Sequence, residues 1–523
     1  MLAAAVLTLA LYAVTLDGTH VYDDLFVARD DPRLRHPDRW RHYWTEQYFL
    51  DAVDRLYRPL TSMSYALQAY TTGTLAWPFH LVNWLLAGAC AAAVAAFVQR
   101  LAGWWPAMIA GLIFAAHPIH VEAIAGIVGR AELLCGLAIT GGLITFLKGA
   151  LSGRRITAVV VCFVIALLSK EQGIVFPLLL GILAALEWFA RPADTRCLAP
   201  HQRRNAIILA MTMVYITAGY LFFRESILPM AWDSSQLSWS MNPLVHSIGM
   251  DRWLMPFVLL GRYAILLLWP RRLSVDYGAE VVGSSVRWHE PYVYIGIFVA
   301  VAGIVLLAQA IRLRDVPVAF SILAAGLMYG MVSNLPIIIG VGMAERLMFI
   351  PSVFLALLAG VGLTRLASAG RLRRSLVIAG LPILLMLGCV RTASYAALWN
   401  NPAELFRIGL EEQPRSVQLH RLVFREHDLK GDWAGALKVA ESCIKVAPDW
   451  WLSYALAARA WIELGDARKA QEILEYANVR CPHPDLAPEW MRLNMRIEQI
   501  HGRVEQPSQE PSETAGTQAT EPS

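Results

Sequence analysis

The chain has 523 residues, of which 56% are hydrophobic and 16% charged. A soluble domain carries about 25% charged residues, so this balance excludes an ordinary soluble protein. The net charge of +4 says little as a total, and nothing in the chain resembles a nucleic-acid module, so no nucleic-acid partner is expected.

Apolar runs near the ~20 residues that cross a bilayer as a helix recur through the first three quarters of the chain. In chain order the expected spans are 1–16, 80–98, 105–117, 131–147, 156–169, 172–189, 205–223, 251–269, 292–311, 317–339, 344–364 and 374–390. They predict an all-α, multi-pass domain over 1–391, embedded in the lipid bilayer through about 11–12 spanning or re-entrant helices. Residues 1–16 read as a first span and not as a removable signal peptide, because no small-residue cleavage site precedes the acids that follow. Residues 17–79 form a polar loop rich in aromatics, Asp, Arg and His. The seven Cys make no CxxC pair and mostly sit in apolar segments, where they read as small buried hydrophobes.

Lys and Arg in short loops set the orientation. With 17–79 outside, the inside loops hold Arg100, then Lys148, Arg154 and Arg155, then Arg191, Arg196, Arg203 and Arg204. The later clusters Arg312 with Arg314, and Arg371, Arg373 and Arg374, also want the inside. Counting 205–223 and 251–269 as two full crossings puts those later clusters outside. One extra crossing, or a re-entrant 251–269, restores agreement; the re-entrant reading is favoured and places 270–291, 340–346 and the C-terminal region outside. It leaves Arg271 and Arg272 on the disfavoured side.

Residues 392–502 contain a repeat that is read by counting. Gly431-Asp432 recurs as Gly465-Asp466, Ala436 as Ala470, and Pro448 as Pro482, each at a 34-residue offset. That period, with a small Ala in the second helix and a closing Pro, is the tetratricopeptide signature of a short α-solenoid. A half-repeat at 395–414, full repeats at 415–448 and 449–482, and a capping helix at 485–501 are expected. Such stacks make protein-binding surfaces, or simply stabilise their neighbour. Residues 503–523 are a Pro/Ser/Thr/Glu tail without apolar content, expected to be disordered.

Ionisable residues at membrane-helix ends are costly and therefore functional candidates. Asp23-Asp24, after the first span, suit general-base or metal work, or are a solvated acid pair. Arg58, in Tyr57-Arg58-Pro59-Leu60, can clamp a phosphate or be an ordinary interfacial Arg. His117 and His120 are three apart, but Pro118 disturbs the helix and no third metal ligand has clear spacing. Hydrogen bonding to a sugar or acceptor fits them better, and no metal is assigned. Glu122, Arg130 and Glu132 follow. Lys170-Glu171 is a phosphate ligand with its orienting acid, or a self-neutralising turn. Asp276-Tyr277 and Arg346 complete the set. Two acids, several cations and aromatics at one membrane face suit a lipid-linked phosphate donor. No cofactor is required by the sequence, and dependence on a divalent metal stays open. A transporter fits poorly, because no internal symmetry is visible. A non-catalytic repeat scaffold leaves the one-sided charges unexplained.

These residues carry a resemblance. The motifs are Tyr22-Asp23-Asp24, Tyr57-Arg58-Pro59-Leu60-Thr61, Phe79-His80-Leu81-Val82-Asn83, His117-Pro118-Ile119-His120-Val121-Glu122-Ala123, Gly129-Arg130-Ala131-Glu132-Leu133-Leu134, Ser169-Lys170-Glu171-Gln172-Gly173, Leu273-Ser274-Val275-Asp276-Tyr277 and Ala344-Glu345-Arg346. Their order, with the trailing repeats, resembles the transmembrane and tetratricopeptide-repeat containing O-mannosyltransferases, within the GT-C glycosyltransferase superfamily. The repeat region is much shorter than in the animal members.

The resemblance implies a GT-C membrane domain and a polyprenyl-phosphate sugar donor. It also implies transfer with inversion to a Ser/Thr hydroxyl of an acceptor protein, with the active site and the repeats extracytoplasmic. A lipid or glycan acceptor is the alternative. In that reading Asp23 and Asp24 are catalytic, and Arg58, Arg130, Lys170 and Arg346 hold the donor phosphate. His117, His120, Glu122, Glu132, Glu171, Asp276 and Tyr277 line the sugar or acceptor pocket. The Ala- and Arg-rich composition points to a bacterial inner membrane.

Overall fold

The computed structural model describes residues 1–50, 56–190, 203–229 and 237–481, and beyond these 492, 493, 495–497 and 499. Among them there is no strand. The chain divides into two compact units, Met1–Gln418 and Leu419–Ser523.

The first unit is built from α1 (Leu2–Tyr12), α2 (Pro59–Thr72), α3 (Ala76–Ala102), α4 (Trp104–Ala116), α5 (Val121–Ala125), α6 (Arg130–Phe146) and α7 (Gly153–Ser169). It continues through α8 (Phe176–Ala190), α9 (Arg203–Ile227), α10 (Gly249–Leu268), α11 (Tyr292–Arg312), α12 (Val316–Val332), α13 (Phe349–Ser368), α14 (Arg371–Leu398) and α15 (Pro402–Glu412). Seven of the described helices are long and apolar enough to cross a membrane, or eight if the pair Trp104–Ala116 and Pro118–Ala125, bent by 56°, counts as one. That is fewer than the apolar runs predict. The stretches containing α1 and α12 are apolar but short, and α10 carries Asp251, Arg252 and Arg262. The most enclosed spans are those of α6 and α13, while α9, α11 and α14 are largely exposed and apolar, as lipid-facing helices should be.

Contacts between helix ends sort the unit into two faces. On one, Thr61 Oγ1 donates to the Ser169 carbonyl, Thr392 Oγ1 to the Ala116 carbonyl and Asn400 to the Val14 carbonyl. The start of α2 thus meets the end of α7, the last turns of α14 meet the end of α4, and the residues after α14 meet those after α1. On the other, Asn205 of α9 donates to Leu151 before α7, and Arg365 of α13 pairs with Asp315 before α12. Of the helices from α1 to α14, α2, the one-turn α5 and α10 stay on the first face and the rest alternate: His80 and Asn83 at the start of α3 bind the Thr19 and Gly126 carbonyls, so α2 both begins and ends there. At the start of α10, Ser247 donates to the Ser284 carbonyl and Asp251 accepts from Val286 N–H. At its end, His117 binds the Leu267 carbonyl and Arg391 the Pro270 carbonyl. All these partners lie on the first face, so α10 runs along it without carrying the chain across. This is the arrangement that reconciles the loop charges.

The second face carries Arg100, Lys148, Arg154, Arg155, Arg204, Arg312, Arg314, Arg365, Arg371, Arg373 and Arg374. Arg191 and Arg196 lie outside the described residues.

Two glycines seat α10. A Cβ on Gly261 would meet the Tyr292 carbonyl oxygen at 2.0 Å, and one on Gly296 the Phe257 carbonyl oxygen at 1.8 Å. Backbone therefore touches backbone where α10 crosses α11.

After α16 (Val417–Leu429), which begins in the first unit, the second unit continues as α17 (Trp433–Val446), α18 (Trp451–Glu463) and α19 (Ala467–Arg480). The counted repeat is physical. Asp432 caps α17 through Gly435 N–H at 2.9 Å, and Asp466 caps α19 through Lys469 N–H at 3.0 Å. Gly431 and Gly465 precede them with positive φ of 67° and 85°. Ala436 and Ala470 are fully buried where helices approach. Pro482 and the tail 503–523 lie outside the described residues, as does most of 485–501.

Single cysteines at Ser238, Arg272 and Arg314 test the path of α10. In intact vesicles a membrane-impermeant maleimide should label Ser238→Cys and Arg272→Cys from the same side and Arg314→Cys from the other. Labelling of positions 238 and 272 from opposite sides would make α10 a full crossing.

Candidate functional site

Every candidate side chain sits where a helix breaks. Pro59 opens α2 and leaves Arg58 outside it in a non-helical conformation. Lys170 is extended between α7 and the 3-10 turn Glu171–Val175. The His117-Pro118 break bends the chain and brings Glu122 round. Glu345 and Arg346 lie on a 3-10 turn before α13. Asp23 and Asp24 follow Tyr22, whose φ of 53° puts it in the left-handed region.

At these breaks the charges pair. Arg346 donates its backbone N–H to Glu122 Oε2 at 2.8 Å and its guanidinium to Glu122 Oε1. The same guanidinium lies 3.7 Å from Asp23. Lys170 pairs with Glu132, both buried. Arg58 forks onto Glu171, with Nη2 at 2.8 Å and Nε at 3.0 and 3.2 Å, and stacks over Tyr48. Glu132 interacts electrostatically with both Arg58 and Arg346, which ties the three pairs into one ion chain. Lys170, Glu132 and Glu122 form its buried floor. Arg58, Glu171, Arg346 and Asp23 are partly exposed.

The two adjacent aspartates are treated differently. Asp24 is fully buried. Its two oxygens accept from Val21 N–H at 3.1 Å and Val128 N–H at 2.8 Å, which staples the aspartate turn to the turn before α6. Burial pushes its carboxyl up to about 7 against the pull of the backbone N–H groups of Val128, Val21 and Ile127. The charge of Asp23 adds to the rise. Asp276 is also raised by burial, opposed by the Ser416 hydroxyl and the Gly278 N–H. Tyr277 donates to Glu345 at 2.7 Å, and Ser274 N–H donates to the same carboxylate oxygen.

Three sequence candidates are placed apart from the ion chain. Arg130 is buried, and its guanidinium donates to Asn83, Gln68, Ser64 and the Phe79 carbonyl, over the Tyr65 and Phe79 rings. It pins the start of α6 to α2 and α3. His117 is engaged by the Leu267 carbonyl and Ile119 N–H, and His120 by the Phe114 carbonyl and Ser352. They fasten the bend after α4. Glu345, Tyr22 and Gln418 were assigned no role from sequence. Glu345 and Tyr22 stand in the motifs without a role of their own, and nothing local marks Gln418. Among the described residues no group of three or more His, Cys, Asp or Glu is placed to hold a metal ion.

The fold and this site define a multi-pass helical membrane protein with a chain of paired charges at one face. The chain is similar to protein O-mannosyl-transferases: human TMTC2, at 30% identity over 54% of this chain and 35% of that protein, and human TMTC4, at 25% over 82% and 63%. Tmtc1 of Drosophila melanogaster is 27% identical over 78% of this chain and 57% of that protein. The chain thus spans less than two thirds of the length of each of these relatives. No family model matches it. Among solved structures, ArnT from Cupriavidus metallidurans bound to undecaprenyl phosphate aligns with 90% of this chain and 79% of its own, at 16% identity and a TM-score of 0.43.

Two predictions follow from the charges. Asp24 ordinarily titrates near 3.8 and is raised to about 7 in the fold. Between those values the folded state holds the extra proton, so Asp24's contribution to stability falls as pH rises through this window. A plot of melting temperature against pH from 4 to 7 should be flatter for Asp24→Asn than for the unsubstituted protein. An equal slope would show that Asp24 does not titrate there. Separately, Lys170→Met strands Glu132 and should destabilise by about 3–5 kcal/mol, with Glu132→Leu alongside it restoring most of the loss. Equal melting points for the single and double variants would contradict a buried pair.

Proposed function

We propose that this chain is an inverting glycosyltransferase. It moves a sugar, mannose, from a polyprenyl-phosphate donor to a Ser or Thr hydroxyl of an acceptor protein on the extracytoplasmic side. The observation that carries the proposal is the ion chain, in which Arg346 lies beside Asp23 and is linked through Glu132 to Lys170 and Arg58. The names of the relatives supply the transferred sugar and the class of acceptor. The domain reading goes with it: a catalytic membrane part with 17–79 as its first extracytoplasmic loop, followed by repeats whose stacked helices offer a surface to acceptor peptide.

A serine hydroxyl is a weak nucleophile at neutral pH and needs a base in reach. Asp23 is that base, since Asp24 is buried and committed to two backbone N–H groups. The acceptor oxygen forms its bond to the anomeric carbon from the face opposite the leaving group. The bond from that carbon to the phosphate oxygen breaks, and its electron pair leaves with the polyprenyl phosphate. The hydroxyl proton passes to Asp23. Negative charge grows on the leaving phosphate, and fixed cations in a low-dielectric site stabilise it. Arg58 and Arg346, the exposed cations of the chain, meet the phosphate, with Lys170 beneath them. Glu122 and Glu171 hold the two guanidiniums in position, and Asp276 with Tyr277 borders the sugar. Arg130, His117 and His120 act by holding the helix breaks that present these groups.

The sidedness rests on charge. The face opposite the ion chain carries Arg100, Lys148, Arg154, Arg155, Arg312, Arg314, Arg371, Arg373 and Arg374, and such residues in short loops stay cytoplasmic. The ion chain then faces outward, in a bacterial inner membrane.

Membranes carrying the protein, supplied with radiolabelled polyprenyl-phosphate mannose and a Ser/Thr-rich peptide, test the assignment. Asp23→Asn should cut transfer by roughly a hundredfold or more while donor binding persists. Transfer at the unsubstituted rate by folded Asp23→Asn would remove Asp23 as the base.

A further inference from the structure

Tyr22, at a φ of 53°, is held in a left-handed backbone conformation that strains a non-glycine residue and persists only where the surroundings over-determine it. Asp23 is the next residue, so any relaxation of Tyr22 swings the Asp23 carboxylate. Asp24 fixes the turn from below through its bonds to Val21 and Val128.

The side chain of Tyr22 is fixed from a remote direction. Its hydroxyl points to Met241 Sδ at 3.5 Å and accepts from Gln418 Nε2 at 2.8 Å. Gln418 is fully buried, and its Oε1 has no hydrogen-bond partner among the described residues. A buried amide is costly unless bonded, so the bond to Tyr22 is the compensating contact for this side chain. The segment carrying Gln418 is itself tied to the site loop. Ser416 Oγ donates to Asp276 at 2.6 Å, and Arg415 pairs with Glu280 at 3.0 Å.

We infer that Gln418 is a positioning residue for the reaction, holding the Asp23 carboxylate in place through the Tyr22 hydroxyl. The inference rests on the reading of Asp23 as base. Gln418 touches neither donor nor acceptor. It sets the aim of the base, so its loss lowers the rate of the chemical step and leaves donor affinity alone.

The test uses the purified full chain in lipid nanodiscs, as Gln418→Ala, Tyr22→Phe, the double variant and Gln418→His, which keeps an N–H donor. Each of the first two should lower kcat roughly tenfold with donor KM unchanged, as a small misplacement of a reacting group does. The double variant should be no slower than the worse single one, because both remove the same bond. Gln418→His should recover most of the rate. Amide hydrogen exchange over residues 21–26 should accelerate in Gln418→Ala. Unchanged kcat in folded Gln418→Ala, or losses that multiply in the double variant, would overturn the inference. So would unchanged exchange over 21–26. If the unsubstituted protein transfers no mannose while exchange still responds, the role of Asp23 falls and the hold of Gln418 on the turn stands. Tyr22→Phe removes the same bond from the other side if Gln418→Ala does not fold.

Discussion

The site depends on the pairing of charge inside a membrane domain. Lys170 and Glu132 are both buried, and either one alone would have to be neutralised or would destabilise the bundle severely. Paired, they lock the junction of α7 and α8 against the start of α6. Arg346 does the same between Glu122 and Asp23, and Arg58 between Glu171 and the Tyr48 ring. The breaks in the helices, which expose backbone groups and bend the chain, are held in register by these ion pairs.

This arrangement also divides labour among the carboxylates. Glu122 is gripped by Arg346 through both backbone and side chain, and Glu171 by the guanidinium fork of Arg58. Asp24 is turned inward to two N–H groups. Asp23 has the longest of the contacts with Arg346 and stays partly exposed. The carboxylate proposed as the base is thus the one with the longer contact to Arg346, while Glu122 and Glu171 hold the two guanidiniums closely.

Much of this was legible in the sequence, for a physical reason. Ionisable residues at the ends of apolar runs are too costly to be incidental, so the acids and cations of the ion chain stood out. The 34-residue period stood out because each turn of the repeat needs its own Gly-Asp start, and the structure caps α17 and α19 with those aspartates. What stayed hidden was how polar groups spend their hydrogen bonds. Arg130 reads as a phosphate ligand until Asn83, Gln68 and the Phe79 carbonyl are seen to occupy it. His117 and His120 read as pocket residues until the carbonyls of Leu267 and Phe114 claim their rings. Gln418 gives no signal at all, because its partner is 396 positions away and a lone glutamine at the start of a helix is unremarkable. The path of α10 was left to charge counting, since its length alone would let it cross.

The order in which the charges meet has a consequence for how the protein is made. Glu132 and Lys170 sit on successive helices, so they find each other as soon as that hairpin enters the membrane, and Glu171 follows at once to meet Arg58. Glu122 has no such early partner. Its cation, Arg346, is 224 residues further along the chain. During synthesis Glu122 and the neighbouring aspartates wait near the membrane while seven more helices, α6 to α12, are laid down, and a waiting carboxylate in that setting is best carried as the neutral acid. The arrival of α13 then does two things in one step. It delivers the guanidinium that pairs with Glu122, and it joins that pair to Asp23, so this end of the ion chain forms last, after the Lys170–Glu132 and Arg58–Glu171 pairs.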